Sequence, residues 1–166
     1  MADIMQMTDL AINEGWVDTT QLAVTGGSYA GYLVTWMLGH TNRFKVACSQ
    51  RGVYELSTFF GEGNAWRLNP RYFGGYPWEK TTRVILDRES PLTYVQNIRT
   101  PLIIFHGEND ELVDVHQAKN LHEKLRQLGI KTELNLYPNE THEMKKSLAD
   151  VFIKTAAWLE KVYPNR

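Results

Sequence analysis

Cysteine is nearly absent from this sequence, and its scarcity excludes several kinds of protein. Cys48 has no second cysteine in the chain to pair with, so no internal disulfide can form, and the chain fits a reducing compartment such as the cytoplasm. Neither a His-Glu-x-x-His motif nor a pair of cysteines occurs, which argues against a zinc site. We therefore expect no metal and no cofactor.

An excess of charge and long apolar runs are missing as well. The 166 residues carry 18 Lys and Arg against 19 Asp and Glu, which gives no electrostatic reason to bind nucleic acid or an anionic membrane. No apolar run is long enough to cross a bilayer, and residues 1–15 contain acids and lack the basic start of a signal peptide. With 43% hydrophobic and 22% charged residues, we expect one globular domain over residues 1–166.

What the sequence does contain is a glycine-rich turn between an apolar strand and an apolar helix. Residues 22–25 have the character of a buried strand, and residues 31–38 that of a helix which is apolar almost all round. Between them Ser28 lies where the chain turns sharply, a strained conformation that exposes its hydroxyl. Gly26 and Ala30 are the small residues that such a turn requires. The pattern predicts that Ser28 is the nucleophile of a serine hydrolase.

Two other interpretations of this turn remain open at this point. A glycine-rich loop can carry an incidental serine that has no chemical role. Because helix N-termini collect anions, the turn could also cradle a phosphate, although no Gly-Lys-Ser/Thr follows and no acid stands at the dinucleotide spacing. The nucleophile interpretation therefore depends on a base and an acid further along the chain.

Both partners occur in the chain order of α/β-hydrolases, which is serine, then acid, then histidine. The apolar run 101–105 is a predicted strand that leads into a polar turn with Asp110, the predicted orienting carboxylate, and with Glu108 as the alternative. His142 lies in a loop just after the predicted strand 132–137, and we interpret it as the general base. Each could instead be an ordinary turn aspartate or a surface histidine.

Strands and helices alternate along the chain, which implies right-handed crossovers and a parallel sheet, so the predicted fold class is α/β. The remaining stretch, with many aromatic residues between about 54 and 78, is predicted to be irregular. The four strands and four helices are predicted at about 22–25, 44–48, 102–105 and 132–137, and at about 2–14, 31–38, 115–128 and 146–162.

In combination the motifs resemble the prolyl oligopeptidase family of serine peptidases, nearest to its acylaminoacyl-peptidase and dipeptidyl-peptidase branch. The resemblance implies the C-terminal part of an α/β-hydrolase catalytic domain, with Ser28 as nucleophile, Asp110 as acid and His142 as base. Ala30 departs from the family's usual glycine by one methyl group. The matching segments cover almost the whole chain: residues 25–32, 39–45, 49–54, 73–79, 90–94, 100–110 and 137–143.

The resemblance also implies a sheet that is open at one edge. Family members place a β-propeller and the first half of the hydrolase domain ahead of the matched region. The backbone N–H of Tyr29 would be one oxyanion donor, and the second normally comes from that earlier part. Unless a neighbouring subunit or side chain supplies that donor, we expect slow turnover in which activated esters suffer least, and peptides and acylated amino acids most. We also expect a homo-oligomer that covers the open edge beside Ser28.

The substrate stays open at this stage, because a peptide, an acylated amino acid or a small ester would each fit. Arg51, just after the second strand, could meet a substrate carbonyl or carboxylate, or it could pair with a nearby acid. The competing class is a catalytically silent module that keeps the motifs and only self-associates. In the family the aromatic stretch contributes to the pocket beside the nucleophile, and its residues could equally cap a core: Phe59, Phe60, Trp66 and Tyr72.

Overall fold

The core of the structure is a parallel sheet whose strands follow one another in sequence order. The computed structural model describes residues 1–63 and 67–163. Within these residues the sheet order is β1-β2-β3-β4, and every neighbouring pair is parallel. The carboxyl ends of all four strands therefore lie at the same edge of the sheet. The strands are β1 (Ala23–Gly27), β2 (Val46–Gln50), β3 (Leu102–Gly107) and β4 (Thr132–Tyr137).

Helices provide the connections between these strands. Short 3₁₀ segments at Thr19–Gln21 and Pro91–Asn97 precede β1 and β3. In the described part of the chain, no helix combines the length and the apolar character that crossing a lipid bilayer requires. The helices are α1 (Ala2–Asn13), α2 (Tyr29–Leu38), α3 (Leu56–Phe59), α4 (Leu68–Phe73), α5 (Lys80–Glu89), α6 (His116–Gln127) and α7 (Leu148–Val162).

The two faces of the sheet are covered by different helices. On one face, Leu102 and Ile104 of β3 pack with buried residues of α2 and α6. On the other face, Ile103 and Phe105 pack with Val151 and Trp158 of α7. Side chains alternate between faces along a strand, so β3 contributes to both cores and all six of its residues are buried. This rigid central strand leads directly into the loop that carries Asp110.

The sheet lies where the sequence predicted it, whereas the segment between β2 and β3 differs from the prediction. The parallel α/β arrangement is confirmed, and β4 begins and ends as predicted. The prediction that residues after 54 are irregular is wrong in part, because α3 and α4 form there, and α5 was not predicted. The sequence of α5 is polar except for residues 84–86, so its anchoring by the fully buried Leu86 gives only a weak periodic signal.

The sheet is open along its outer strand β1, because among the described residues β1 has a neighbouring strand on one side only. Helix α1 lies beside β1 and buries none of its residues fully. An almost wholly apolar groove runs between the helix and the start of β1, and its lining residues are Asp3, Ile4, Met7, Thr8, Ala11, Val17 and Leu22. The open edge that the sequence predicted for the strand bearing Ser28 is therefore present in the described chain.

Candidate active site

Ser28 occupies the sharp turn between β1 and α2. Its backbone has φ 58° and ψ −122°, a region that residues with a side chain rarely adopt. The strain is held by the surroundings, since the Ser28 N–H donates to the Gln50 carbonyl at 2.8 Å and its own carbonyl accepts from the Tyr32 N–H at 3.0 Å. The structure thus fixes both sides of the residue that the sequence predicted as nucleophile.

Small residues make this turn possible, as the sequence suggested. A Cβ atom at Gly26 would lie 2.5 Å from the Ala30 carbonyl oxygen and 2.8 Å from the Ala30 Cβ. A Cβ atom at Gly31 would lie 2.8 Å from the Gln50 carbonyl oxygen. These contacts are with backbone or with a methyl group, which cannot move aside cheaply. Gly26 and Gly31 thus permit the close packing of α2 against β1 and β2, and the methyl of Ala30 is accommodated.

His142 connects the serine to Asp110. Its Nε2 lies 2.8 Å from the Ser28 Oγ, and its Nδ1 lies 2.7 Å from Asp110 Oδ2. An ionised carboxylate can only accept, so the Nδ1 proton lies on the Asp110 side and Nε2 is left to accept from the serine hydroxyl. The structure therefore brings together the three residues that the sequence singled out, in the chain order and hydrogen-bonding arrangement that general-base activation of a serine would use.

The Asp110 carboxylate is fully buried and accepts hydrogen bonds on both oxygens. Oδ1 accepts from the backbone N–H groups of Leu112 and Val113 at 2.9 Å each. Burial alone raises the pKa of Asp110, but hydrogen bonds from His106, His142 and the Val113 N–H outweigh it, so the pKa lies well below its ordinary value. Asp110 is therefore ionised at neutral pH. Glu108, the alternative acid, is exposed.

His106 is a member of this network that sequence reasoning did not recognise. Its ring is completely buried, and its Nε2 lies 2.9 Å from the Val113 carbonyl oxygen and 3.2 Å from Asp110 Oδ2. Both neighbours are acceptors, so Nε2 carries the proton and is shared between them. Nδ1 is buried without a partner among the described residues. The spacing of four residues from Asp110 at the end of a buried strand was the available signal.

Two loops are held together where β3 and β4 end. The Glu108 N–H donates to the Tyr137 carbonyl and the Asn109 N–H to the Glu140 carbonyl, each at 3.0 Å. A Cβ atom at Gly107 would clash with the Glu140 carbonyl oxygen and would lie 2.8 Å from the Thr141 carbonyl oxygen. The absence of a side chain at Gly107 therefore lets the loop of His142 lie close against the loop of Asp110.

The remaining predicted residues lie in different environments. Tyr29 is the first residue of α2, where backbone N–H groups have no partner within the helix, so its N–H remains a candidate oxyanion donor. Phe59 packs in the core at 4% exposure, whereas Tyr72 is 67% exposed. Phe60 packs edge-on against Tyr76 and Trp78. Trp66 lies outside the described residues. No group of three potential metal ligands occurs in the described ranges.

A strained serine at a strand-to-helix turn, a histidine and a buried aspartate on a parallel sheet form the arrangement that α/β serine hydrolases use. Comparison with solved structures supports the fold. The acylaminoacyl peptidase of Pyrococcus horikoshii superposes with a TM-score of 0.88 at 20% identity, over 99% of this chain and 28% of that one. A puromycin-hydrolyzing peptidase of Mycobacterium tuberculosis gives a TM-score of 0.83 at 19% identity, over 98% and 25%.

The chain belongs to the prolyl oligopeptidase family, which it matches over residues 1–165. An uncharacterized peptidase of Bacillus subtilis, YuxL, is 37% identical over 152 residues, which are 87% of this chain and 22% of the relative. Dipeptidyl-peptidase 5 of Porphyromonas gingivalis is 30% identical over 167 residues, which are 97% of this chain and 24% of the relative. The chain thus spans about a quarter or less of the length of these relatives, and the four strands correspond to part of an α/β-hydrolase fold.

The Gly107 contact predicts that one added methyl group disturbs the site. In Gly107→Ala the loop of His142 must move away from β3, so kcat/KM for an activated ester should fall by about 10²-fold. Gly61→Ala is the matched control, because the nearest atom to its added Cβ is the Thr58 carbonyl oxygen at 3.9 Å. Steady-state kinetics with circular dichroism on both variants would test this. Equal rates in the two variants would contradict the proposed role of the close contact.

The lowered pKa of Asp110 predicts a pH-dependent contribution to stability. A carboxyl whose pKa is lower in the folded state stabilises the fold above its ordinary pKa, 3.8 here, and loses that stabilisation as the pH falls further. The free energy of unfolding of Asp110→Asn should therefore be about 2 kcal/mol lower than that of the parent at pH 7. The difference should be smaller at pH 3. Urea titrations at both pH values measure it, with Asp3→Asn as an exposed control. A difference that stays constant with pH would refute the assignment.

Proposed function

We propose that this protein is a serine hydrolase that cleaves acyl bonds through Ser28, His142 and Asp110. The observation that carries the proposal is the continuous hydrogen-bonded path from Ser28 Oγ to His142 Nε2 at 2.8 Å, and from Nδ1 to Asp110 Oδ2 at 2.7 Å. An aspartate that only forms a turn, or a histidine that only lies on the surface, would not account for a hydrogen-bonded chain that ends at a strained serine. Membership of the prolyl oligopeptidase family supports the same chemistry.

In the proposed mechanism the Ser28 Oγ attacks the carbonyl carbon of the substrate while His142 Nε2 takes the hydroxyl proton. The carbonyl oxygen becomes an oxyanion and accepts from the Tyr29 N–H at the start of α2. His142 then gives the proton to the leaving nitrogen or oxygen, the acyl bond breaks, and an acyl group remains on Ser28. Water, deprotonated by the same histidine, releases the acid and restores the serine. Asp110 stays ionised and fixes the ring.

The substrate that we propose is a peptide, an acylated amino acid or a small ester. Relatives and neighbours named dipeptidyl-peptidase and acylaminoacyl peptidase favour the first two. Turnover of activated esters should be the easiest activity to detect, because their leaving groups depart with little assistance. We propose Phe60 and Tyr72 as apolar contacts for the acyl group, since both retain exposed surface.

Removal of the candidate nucleophile gives the direct test. The parent should release p-nitrophenol from p-nitrophenyl acetate above the buffer rate, and Ser28→Ala should lose that excess by at least about 10³-fold. Ser57→Ala is the matched control, because Ser57 lies in α3 and outside the proposed triad. Initial rates at several enzyme concentrations measure the effect. Equal background rates for the parent and Ser28→Ala would favour the alternative, a silent module that keeps the motifs.

We also propose that a second copy of the chain covers the open edge of the sheet. An unpaired edge strand presents free backbone donors and acceptors, and an apolar one invites pairing. On α1 and just after it, the large side chains of Met7, Leu10 and Trp16 are 66%, 58% and 77% exposed. The groove along α1 continues this apolar surface to the start of β1.

Cys48 is buried and free, which is compatible with the cytoplasm as the proposed location.

The proposed pairing of two copies predicts a concentration-dependent association. Sedimentation of the parent should show a dimer or a larger species, and charges introduced by Met7→Glu with Trp16→Glu should shift it to the monomer. Val84→Glu is the control, because Val84 is 62% exposed on α5, away from β1. A parent that stays monomeric and folded at all concentrations would exclude the oligomer.

A further inference from the structure

Arg51 is a cationic residue that the structure holds in an unusual conformation close to the candidate nucleophile. It follows the last residue of β2 and has φ 42°, in a region that favours glycine. Its backbone N–H donates to the Phe105 carbonyl at 2.8 Å, so the conformation is fixed by the neighbouring strand. Strain of this kind persists where the surroundings impose it, and it concentrates at binding and catalytic sites.

The guanidinium of Arg51 lies flat against the strand that carries Ser28. A Cβ atom at Gly27 would lie 3.1 Å from Nη2 and 3.2 Å from Cζ, so the guanidinium is in close contact with the backbone of Gly27. Gly27 directly precedes Ser28, so the guanidinium lies next to the turn of the candidate nucleophile. The charge of Arg51 also lowers the pKa of Glu143, the residue after His142, although the hydrogen bond from Lys145 is the larger cause.

The charge of Arg51 has no carboxylate partner among the described residues. Its side chain makes one hydrogen bond there, to Gln50 Oε1 at 3.5 Å, which is long for a charged donor. No ion pair joins Arg51 to an acid in the described ranges, so pairing with a nearby acid, one of the two possibilities that the sequence left open, is not realised there. A guanidinium offers five N–H groups in a fixed fork that matches a carboxylate. Most of these donors remain available to a ligand.

The topology indicates which part of a substrate meets Arg51. Strand β2 lies between β1, which leads to Ser28, and β3, which leads to Asp110. Arg51 and His142 therefore lie on the same side of Ser28. In the proposed mechanism His142 protonates the leaving group, so the leaving group must lie on this side as well.

We propose that Arg51 binds a carboxylate carried by the leaving group. The substrate class is then an acylated amino acid, or a short peptide cleaved next to its C-terminal residue, whose departing amino acid carries a free α-carboxylate. This inference rests on the proposed function of the same site and narrows its substrates. Binding through a charged fork also selects against uncharged leaving groups, because they leave the guanidinium without a partner.

Two esters that share an acyl group isolate this interaction. p-Nitrophenyl acetate and the acetyl ester of 5-hydroxy-2-nitrobenzoic acid form the same acetyl-enzyme, and their leaving nitrophenols differ by one carboxylate. The ratio of kcat/KM for the carboxylated ester to that for the plain ester should fall about tenfold in Arg51→Gln. Arg51→Lys should retain part of the preference, because the charge remains and the fork is lost. Because the readout is a ratio, any change that Arg51→Gln makes equally to the hydrolysis of both esters does not affect it.

A charge control excludes a general electrostatic effect. Arg126→Gln removes an exposed guanidinium that pairs with Glu123 on α6, and it should leave the ratio unchanged. An unchanged ratio in Arg51→Gln, with hydrolysis that still depends on Ser28, would overturn the role of Arg51 and leave the proposed function intact. The single variant Ser28→Ala should lose activity on both esters. That loss would show that both rates, and therefore their ratio, arise from this site.

A binding measurement tests carboxylate binding by Arg51 even if the protein hydrolyses neither ester. The product 5-hydroxy-2-nitrobenzoate should bind to Ser28→Ala about tenfold more tightly than to Ser28→Ala with Arg51→Gln, measured by titration calorimetry. p-Nitrophenol, which lacks the carboxylate, should not distinguish the two proteins. Equal dissociation constants for the carboxylated product would refute the proposal even if neither ester is hydrolysed.

Discussion

The geometry of the site depends on backbone segments that approach closely where glycine leaves room. At Gly26 and Gly31 the helix α2 lies directly on the strands, and at Gly107 the loop of His142 lies directly on the end of β3. These contacts are between main-chain atoms, which pack at near-crystalline density and transmit displacements instead of absorbing them. The 2.8 Å separation between Ser28 Oγ and His142 Nε2 follows from both sets of contacts together. Neither loop alone determines it.

Electrostatics then decides what this geometry can do. A buried carboxylate is costly unless its charge is compensated by hydrogen bonds, and Asp110 accepts from two backbone N–H groups and two histidine rings. The compensation keeps the carboxylate ionised in a place that excludes water. Its charge holds the His142 proton on Nδ1 and leaves the lone pair of Nε2 toward the serine. His106 shares its single Nε2 proton between Asp110 and Val113, so it also fixes the loop around the acid.

The sequence predicted those features that depend on short segments and on chain order. The turn at Ser28 and the strand ends that precede Asp110 and His142 are local patterns, and parallel topology then gathers them at one edge. What it did not predict depends on tertiary contact. The donation from His106 to Asp110 requires the loop after β3 to fold back over a buried ring, and α5 is held by the burial of Leu86 more than by any periodicity. Single-residue propensities carry no information about either.

The arrangement of charge around Ser28 also bears on which step of the reaction the protein can assist. In the proposed mechanism the helix start at Tyr29 favours negative charge on the carbonyl oxygen, and the His142 ring acts on the hydroxyl and on the leaving group. By the same proposal, Arg51 next to Gly27 adds a positive charge on the leaving-group side. A carboxylate bound there would reach the site before the bond breaks and would hold the scissile bond near His142. The same attraction opposes departure of the anionic product, so tight binding by Arg51 favours acylation of Ser28 while it slows release.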